Sequence, residues 1–280
     1  MTGTDEPLLP ALRAWAEDNG AAATLAGEHA PRPLLSVITS DADTGRDVSG
    51  GASPLLPLAE LADADISVSV VADEGPANGP GLRADQVDRW LAHGRSLADR
   101  AVDSGVQLLL LGGSGDPVIS ASVTGTVCRK EPVSLFNYAA GDDVSAWKRD
   151  IVAVRDVLFR TRGYRNGPWD KGAVKEILRL AGDPALATLV GFLSGSSDRR
   201  TPVILDGAGT LAAALLAEAV SPGARQGWIL PHVPVDAAAA FAAHRLELSP
   251  VFGHDLGVSD GAAALTCLPV LRASVVVSRP

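Results

Sequence analysis

The stretch Val106–Pro117, VQLLLLGGSGDP, decides the fold. The leucines from Leu108 to Leu111 carry no polar alternation, so a strand made from them exposes neither face to water. Such strands belong to parallel sheets covered by helices on both sides. The strand empties into Gly112, Gly113, Ser114 and Gly115, and an Ala/Ser/Val segment read as helix follows Asp116. On its N-terminal side, Ala84–Gly105 places Val87, Leu91, Leu97, Ala98 and Val102 on one side of a helix, with Gly105 as its stop.

The same strand–glycine–helix grammar recurs in both directions. Leu34–Thr39 and Ile66–Ala72 read as strands, and Leu55–Ala62 as a short helix. Between them lies SDADTGRDVSGGASP, residues 40–54, read as loop. The run DEGPANGPG, residues 73–81, is a second loop. Toward the C-terminus, helices are expected at Val144–Arg160, Ala173–Leu180 and Ala185–Leu193. The strand Pro202–Leu205 then runs into DGAGT and the helix LAAALLAEAV. A strand at Gly227–Leu230, the loop PHVP, a helix at Asp236–Arg245 and a final apolar helix complete the order. Strands alternating with Ala-rich helices predict an α/β fold: a mainly parallel, Rossmann-like sheet flanked by helices. A helix over Pro10–Gly27 makes a small helical N-terminal part, residues 1–30, ahead of an α/β domain over 31–280.

Composition narrows the function classes. A chain of 280 residues with 46% hydrophobic and 20% charged residues buries a sizeable core and is not disordered throughout. Its net charge of −9 argues against a nucleic-acid partner. Cys128 and Cys267 form no CxxC pair, and no two histidines stand at metal-ligand spacing, so neither a disulfide framework nor a metal site is expected. No apolar run is long enough to cross a membrane, and the acidic start MTGTDEPLLP lacks the features of a signal peptide. A cytoplasmic protein without a membrane partner is expected.

Ligands of such folds sit beyond the carboxyl ends of the strands. There GGSGDP offers small residues and a helix start to an anion, but it has neither GxGxxG nor GK[ST], and a tight strand-to-helix turn is the preferred reading. Asp206 in LDGAGT is a ligand contact or a helix N-cap. His232 lies at a strand end, unlike His93 and His244. Asp260, in VSDGAAAL, is an N-cap or a carboxylate aimed at a strand-end pocket as general base. No GxSxG elbow ties Ser114 to a base.

The C-terminal third carries a resemblance. PVILDGAGTLAAALLAEAVSP, WILPH and LELSPVFGHDLGVSDGAAALTCLPVLRAS resemble the nicotinate-nucleotide:dimethylbenzimidazole phosphoribosyltransferases of cobalamin assembly. That family has a strand ending in Asp-Gly, an Ala-rich helix, a strand ending in His, and a Gly-Glu-Gly-Thr-Gly loop before Ala-Ala-Leu and Leu-Pro. ADQVDRWLAHGRSLADRAVDSGVQLLLLGGSG and LATLVGFLSGSSDRRTPVILDG look like its earlier segments, so the likeness covers most of residues 55–280.

The resemblance implies transfer of phosphoribosyl from nicotinate mononucleotide to 5,6-dimethylbenzimidazole or a related aromatic base, giving α-ribazole phosphate and nicotinate without cofactor or metal. It implies a homodimer, or pairing with a paralogue. By this likeness Asp260 takes the role of the family's proton-accepting glutamate. Gly112, Gly113, Ser114, Gly115, Asp206, Gly207, His232 and Gly261 are the implied substrate-binding residues. The departures cluster at loops. The family's Gly-Glu-Met-Gly-Ile-Gly-Asn-Thr-Thr reads GGSGDPVIS, its Gly-Asp-His-Gly reads SDADTG with Asp41 kept, and a helix lysine is replaced near Asp150. A catalytically impaired member, binding a ligand or serving an active paralogue, is the alternative.

Overall fold

A computed structural model describes residues 7–28, 31–71, 81–113, 115–138, 143–258 and 260–277. The chain opens with α1 (Leu8–Asp18), α2 (Ala22–Leu25), β1 (Leu34–Thr39), α3 (Ala42–Ser49), α4 (Leu55–Ala62) and β2 (Asp65–Val70). The middle comprises α5 (Ala84–Asp103), β3 (Leu109–Gly112), α6 (Pro117–Cys128), α7 (Val144–Thr161), α8 (Lys171–Ala181) and α9 (Pro184–Asp198). The last part is β4 (Val203–Leu205), α10 (Ala208–Val220), β5 (Trp228–His232), α11 (Ala237–Arg245), β6 (Pro250–Phe252) and α12 (Ala262–Val277).

The strands form one six-stranded sheet in the order β2-β1-β3-β4-β5-β6, and every pairing is parallel. The expected α/β layering is therefore present, and more completely parallel than the sequence required. Alternate leucines of β3 go to opposite cores. Leu109 and Leu111 join α5, α6, α8, α9, α10 and α11 on one face. Leu108 and Leu110 join Leu12, Ala16 and Leu25 of the N-terminal helices, with α4 and α12, on the other. All four leucines are fully buried, as a doubly covered strand demands.

Differences from the sequence reading are local. The helix expected over Pro10–Gly27 is two helices, because Gly20 adopts φ +72° between them. Residues 40–54 are not all loop. The Asp41 carboxylate accepts from the backbone N–H of Asp43 and Thr44 and starts α3. β2 begins one residue earlier than read, at Asp65. β6 was not expected; its three residues are too few to show a period, and its pairing with β5 identifies it. Residues 73–80 of the second loop lie outside the described residues.

α5 and α9 approach until backbone meets backbone. A Cβ on Gly94 would collide with the Thr188 carbonyl oxygen and stand 2.7 Å from the Phe192 nitrogen. One on Gly191 would collide with the Leu91 carbonyl oxygen. Gly94→Ala gains about 1 kcal/mol of helix propensity but loses more than that to overpacking against a carbonyl that cannot rotate away. A net loss of about 2 kcal/mol is expected by urea unfolding; an unchanged or raised midpoint would contradict this close crossing.

Candidate functional site

The site is built where β4 and β5 end. Leu205 closes β4, and Asp206, whose N–H donates to the Leu111 carbonyl, follows it into the strand-end turn. Its side chain is not the cap of the next helix. One oxygen, Oδ2, accepts from the backbone N–H groups of Gly261 (2.9 Å), Ala263 (2.9 Å) and Ala264 (3.3 Å). Asp206 thus caps α12, more than fifty residues later. The residue is 1% exposed. Its other oxygen, Oδ1, is buried and has no hydrogen bond among the described residues.

His232, the last residue of β5, faces that oxygen. Its Nε2 stands 3.6 Å from Asp206 Oδ1, and its Nδ1 stands 3.0 Å from Asp255 Oδ1. In the ring with Nδ1 unprotonated, that nitrogen instead accepts from the Leu256 N–H, at 3.3 Å. Asp206 is the main cause of a raised His232 pKa, with Asp255 adding to it and burial acting the other way. The folded-state pKa lies above the ordinary 6.5, so the stabilisation is fully present below pH 6.5 and is lost as pH rises through the folded value. An NMR titration of His232 is therefore expected to show a midpoint above 6.5, and the stability gap to His232→Gln to be wider at about pH 6 than at about pH 9. A midpoint at or below 6.5 would contradict the two-carboxylate environment.

Between these groups opens a cleft of about 240 Å³. Asp206, His232, Asp236 and Asp255 are its charged or titratable groups, while Leu211, Val235 and Val258 give it apolar walls. Gly207 adopts φ +103°, a conformation that favours glycine, and turns the chain into α10. Among the described residues, no side chain caps the start of α10. The aspartates Asp41, Asp116, Asp143, Asp170, Asp183 and Asp236 cap six other helices, α11 beside this cleft among them. The start of α10 is thus left open toward the cleft, and an open helix start favours an anion.

The glycine loop after β3 has a different use. A Cβ on Gly112 would collide with the Asp260 carbonyl group and lie 2.5 Å from Gly261 N. One on Gly113 would collide with the Ile38 carbonyl oxygen, and one on Gly115 with the Asp183 carboxylate. Ser114 lies outside the described residues. The start of α6, expected to offer N–H groups to an anion, is already occupied by protein carboxylates. Asp116 accepts from Val118 N (2.8 Å), and Asp183 accepts from Asp116 N (3.0 Å).

Asp183 was missed by sequence reasoning. It is 5% exposed, binds Ala185 N and Leu186 N through its other oxygen, and ties the glycine loop to α9. Burial pushes its carboxyl pKa upward, and the three backbone N–H groups oppose that rise. The Asp-Pro that opens α9 was its only signal.

Asp260 takes φ +58°, a left-handed turn that aspartate tolerates better than most residues. Its Oδ1 lies 3.7 Å from the place a Cβ on Gly207 would occupy, so the carboxylate abuts the turn that floors the cleft. Gly261, at φ +108°, packs against Leu35. The structure therefore brings Gly112, Gly113, Asp206, Gly207, His232, Asp260 and Gly261 to one end of the sheet. No metal-holding cluster of His, Cys, Asp or Glu is found among the described residues, and no described helix is long and apolar enough to cross a membrane.

Residues 62–279 match the family profile DBI_PRT, described as Phosphoribosyltransferase. A Corynebacterium glutamicum nicotinate-nucleotide--dimethylbenzimidazole phosphoribosyltransferase is 36% identical over 196 residues, 69% of this chain and 53% of that protein. The matched region thus spans about half the length of that relative. A Mycobacterium ulcerans protein of the same name is 33% identical over 89% of this chain and 75% of its own length. Among solved structures, CobT from Thermus thermophilus superposes with a TM-score of 0.77 at 23% identity, covering 98% of this chain and 91% of that one.

Proposed function

We propose that this chain, which belongs to the DBI_PRT phosphoribosyltransferase family, transfers phosphoribosyl from nicotinate mononucleotide to 5,6-dimethylbenzimidazole or a related aromatic base. One observation carries the reading: an uncapped helix start, a buried carboxylate oxygen without a hydrogen bond and a histidine with a raised pKa share one small cleft.

In this reading the phosphate of the nucleotide meets the N–H groups at the start of α10. That start carries about half a positive charge and no capping aspartate. His232, whose pKa Asp206 and Asp255 raise, adds positive charge at the same end whenever it is protonated. A ribose hydroxyl donates to Asp206 Oδ1, giving that oxygen a hydrogen bond beside its longer contact with His232. Gly112, Gly113, Gly115 and Gly261 contribute closeness: without side chains, the ends of β1 and β3 and the starts of α9 and α12 can meet. The acceptor's ring nitrogen attacks the anomeric carbon, the bond to nicotinate breaks, and nicotinate leaves with the electron pair. The acceptor's other ring nitrogen yields its proton to a carboxylate, assigned to Asp260. A dimer of this chain and a cytoplasmic location belong to the same proposal, as does the division into residues 1–30 and 31–280.

The test is direct. Purified protein mixed with nicotinate mononucleotide and 5,6-dimethylbenzimidazole is expected to release nicotinate and the riboside phosphate in equal amounts, followed by chromatography with mass detection. Absence of both products at high protein concentration, with the nucleotide shown to bind, would remove the transferase reading and leave that of a ligand-binding relative.

A further inference from the structure

α6 and α11 begin near the carboxyl ends of β3 and β5 and run back to the other end of the sheet. Their C-termini enclose a second pocket there, of about 330 Å³. Arg129, Lys130, His244 and Arg245 line it, with Trp169 and Phe241 as aromatic walls, and no Asp or Glu is in the lining. This is a local inversion of charge on a chain of net charge −9.

Three ordinary uses for these cations fall short. The first is ion pairing, but among the described residues no carboxylate pairs with Lys130 or Arg245, whereas many other cations of the chain have such partners. The second is thiolate activation at Cys128, whose Sγ lies 3.7 Å from the Phe241 carbonyl oxygen. Burial holds that thiol up at about 11 despite Arg245 and Lys130 beside it, so it stays protonated at neutral pH. The third is compensation of helix dipoles. Two helix C-termini present about one negative charge in total, fewer than the three permanent cations in the pocket.

Geometry also favours a flat ligand. Lys130 Nζ sits 4.0 Å above the Phe241 ring. Trp169 is fixed by donating from Nε1 to the Tyr164 carbonyl at 2.6 Å. Arg129, at the C-cap of α6 with φ +58°, is fixed by donating from Nε to the Arg165 carbonyl at 3.2 Å. The walls are thus set before any ligand arrives, which limits the ordering cost of binding.

We propose that this pocket binds a nucleoside monophosphate, a flat heteroaromatic ring carrying one phosphorylated ribose, at a site separate from the strand-end cleft. The phosphate lies among Lys130, Arg245 and His244, and the ring lies against Trp169, because the Lys130 ammonium already covers a face of Phe241. The site does not depend on the transferase reading.

Calorimetry with adenosine 5′-monophosphate, adenosine and inorganic phosphate tests it. Lys130→Gln combined with Arg245→Gln keeps side-chain bulk and removes two charges. That variant is expected to bind the monophosphate at least tenfold more weakly, the scale of losing charge-assisted hydrogen bonds. Val258→Trp, which fills the mouth of the other cleft at an exposed position, is expected to leave that affinity unchanged. Adenosine and phosphate alone are each expected to bind at least tenfold more weakly than the nucleotide. Binding of the monophosphate that is absent in the parent protein, unaffected by the double substitution, or abolished by Val258→Trp would overturn the proposal. Phosphate binding as tightly as the nucleotide would overturn the assignment of the ring to Trp169.

Discussion

Replacing Asp206 with alanine is expected to cost about 3 kcal/mol of folding stability, a large share of the roughly 5–15 kcal/mol typical of a domain. The side chain is 1% exposed, and a single oxygen receives three N–H groups of the α12 start. Removal leaves those donors buried and unanswered, each a loss of about 1–3 kcal/mol when taken alone. The losses do not add fully, because the variant also escapes the desolvation of a buried carboxylate. Asp206→Asn keeps one acceptor oxygen for the same donors and is expected to lose about 1 kcal/mol, the scale of a charged-to-neutral hydrogen-bond change. Urea unfolding at constant m-value gives both numbers. An alanine variant within about 0.5 kcal/mol of the parent, the range of ordinary surface changes, would mean that the tie between β4 and α12 is not formed in solution.

The consequence reaches the cleft. Asp206 holds Gly261, and the Asp260–Gly261 peptide lies directly on Gly112. Loss of the tie frees the start of α12 from β3, so the alanine variant is also expected to lose nucleotide binding even where it remains folded.

That tie explains what the sequence could and could not reveal. The doubly buried β3 was legible because four leucines admit no other environment. Most helices were legible from their apolar periods. α3 was not, because its turns are mostly exposed and polar; its one clear signal, Asp41 as cap, was read as part of a loop. β6 has a place in the sheet only through its neighbour β5. Asp206 stands out in the sequence as a ligand contact or an N-cap, yet the helix it caps is α12 rather than α10. A carboxylate's choice between two helix starts is a tertiary fact, as is the grip of Asp183 on the glycine loop. The same holds for GGSGDP: glycines needed for close contact with β1, the Asp183 carboxylate and the start of α12 look identical in sequence to glycines that cradle a phosphate.

Asp260→Asn is expected to lower kcat by about 10²–10⁴-fold, the usual contribution of a positioned general base, while leaving nucleotide affinity nearly unchanged. Asparagine tolerates φ +58° as aspartate does, so folding does not confuse the readout. A companion variant sharpens the assignment. If Gly257 and Gly261 stand for the two outer glycines of Gly-Glu-Gly-Thr-Gly, the second position is Val258 and the fourth is Asp260. Val258 lines the cleft and is 42% exposed, whereas Asp260 is not part of the lining and its Oδ1 abuts the Gly207 turn. A carboxylate at 258 would project from the wall at little structural cost. With Asp260 as the working base, Val258→Glu is expected to change kcat by less than about threefold and to leave the Asp260→Asn loss in place. The opposite pattern is a silent Asp260→Asn with at least a tenfold gain in Val258→Glu. It would show that proton acceptance belongs to position 258 and that the natural chain works without a side-chain base there. Reaction rate across pH separates the two further: a carboxylate base gives a rate that falls as pH drops through its pKa, and that limb is expected to vanish in whichever variant lacks the base.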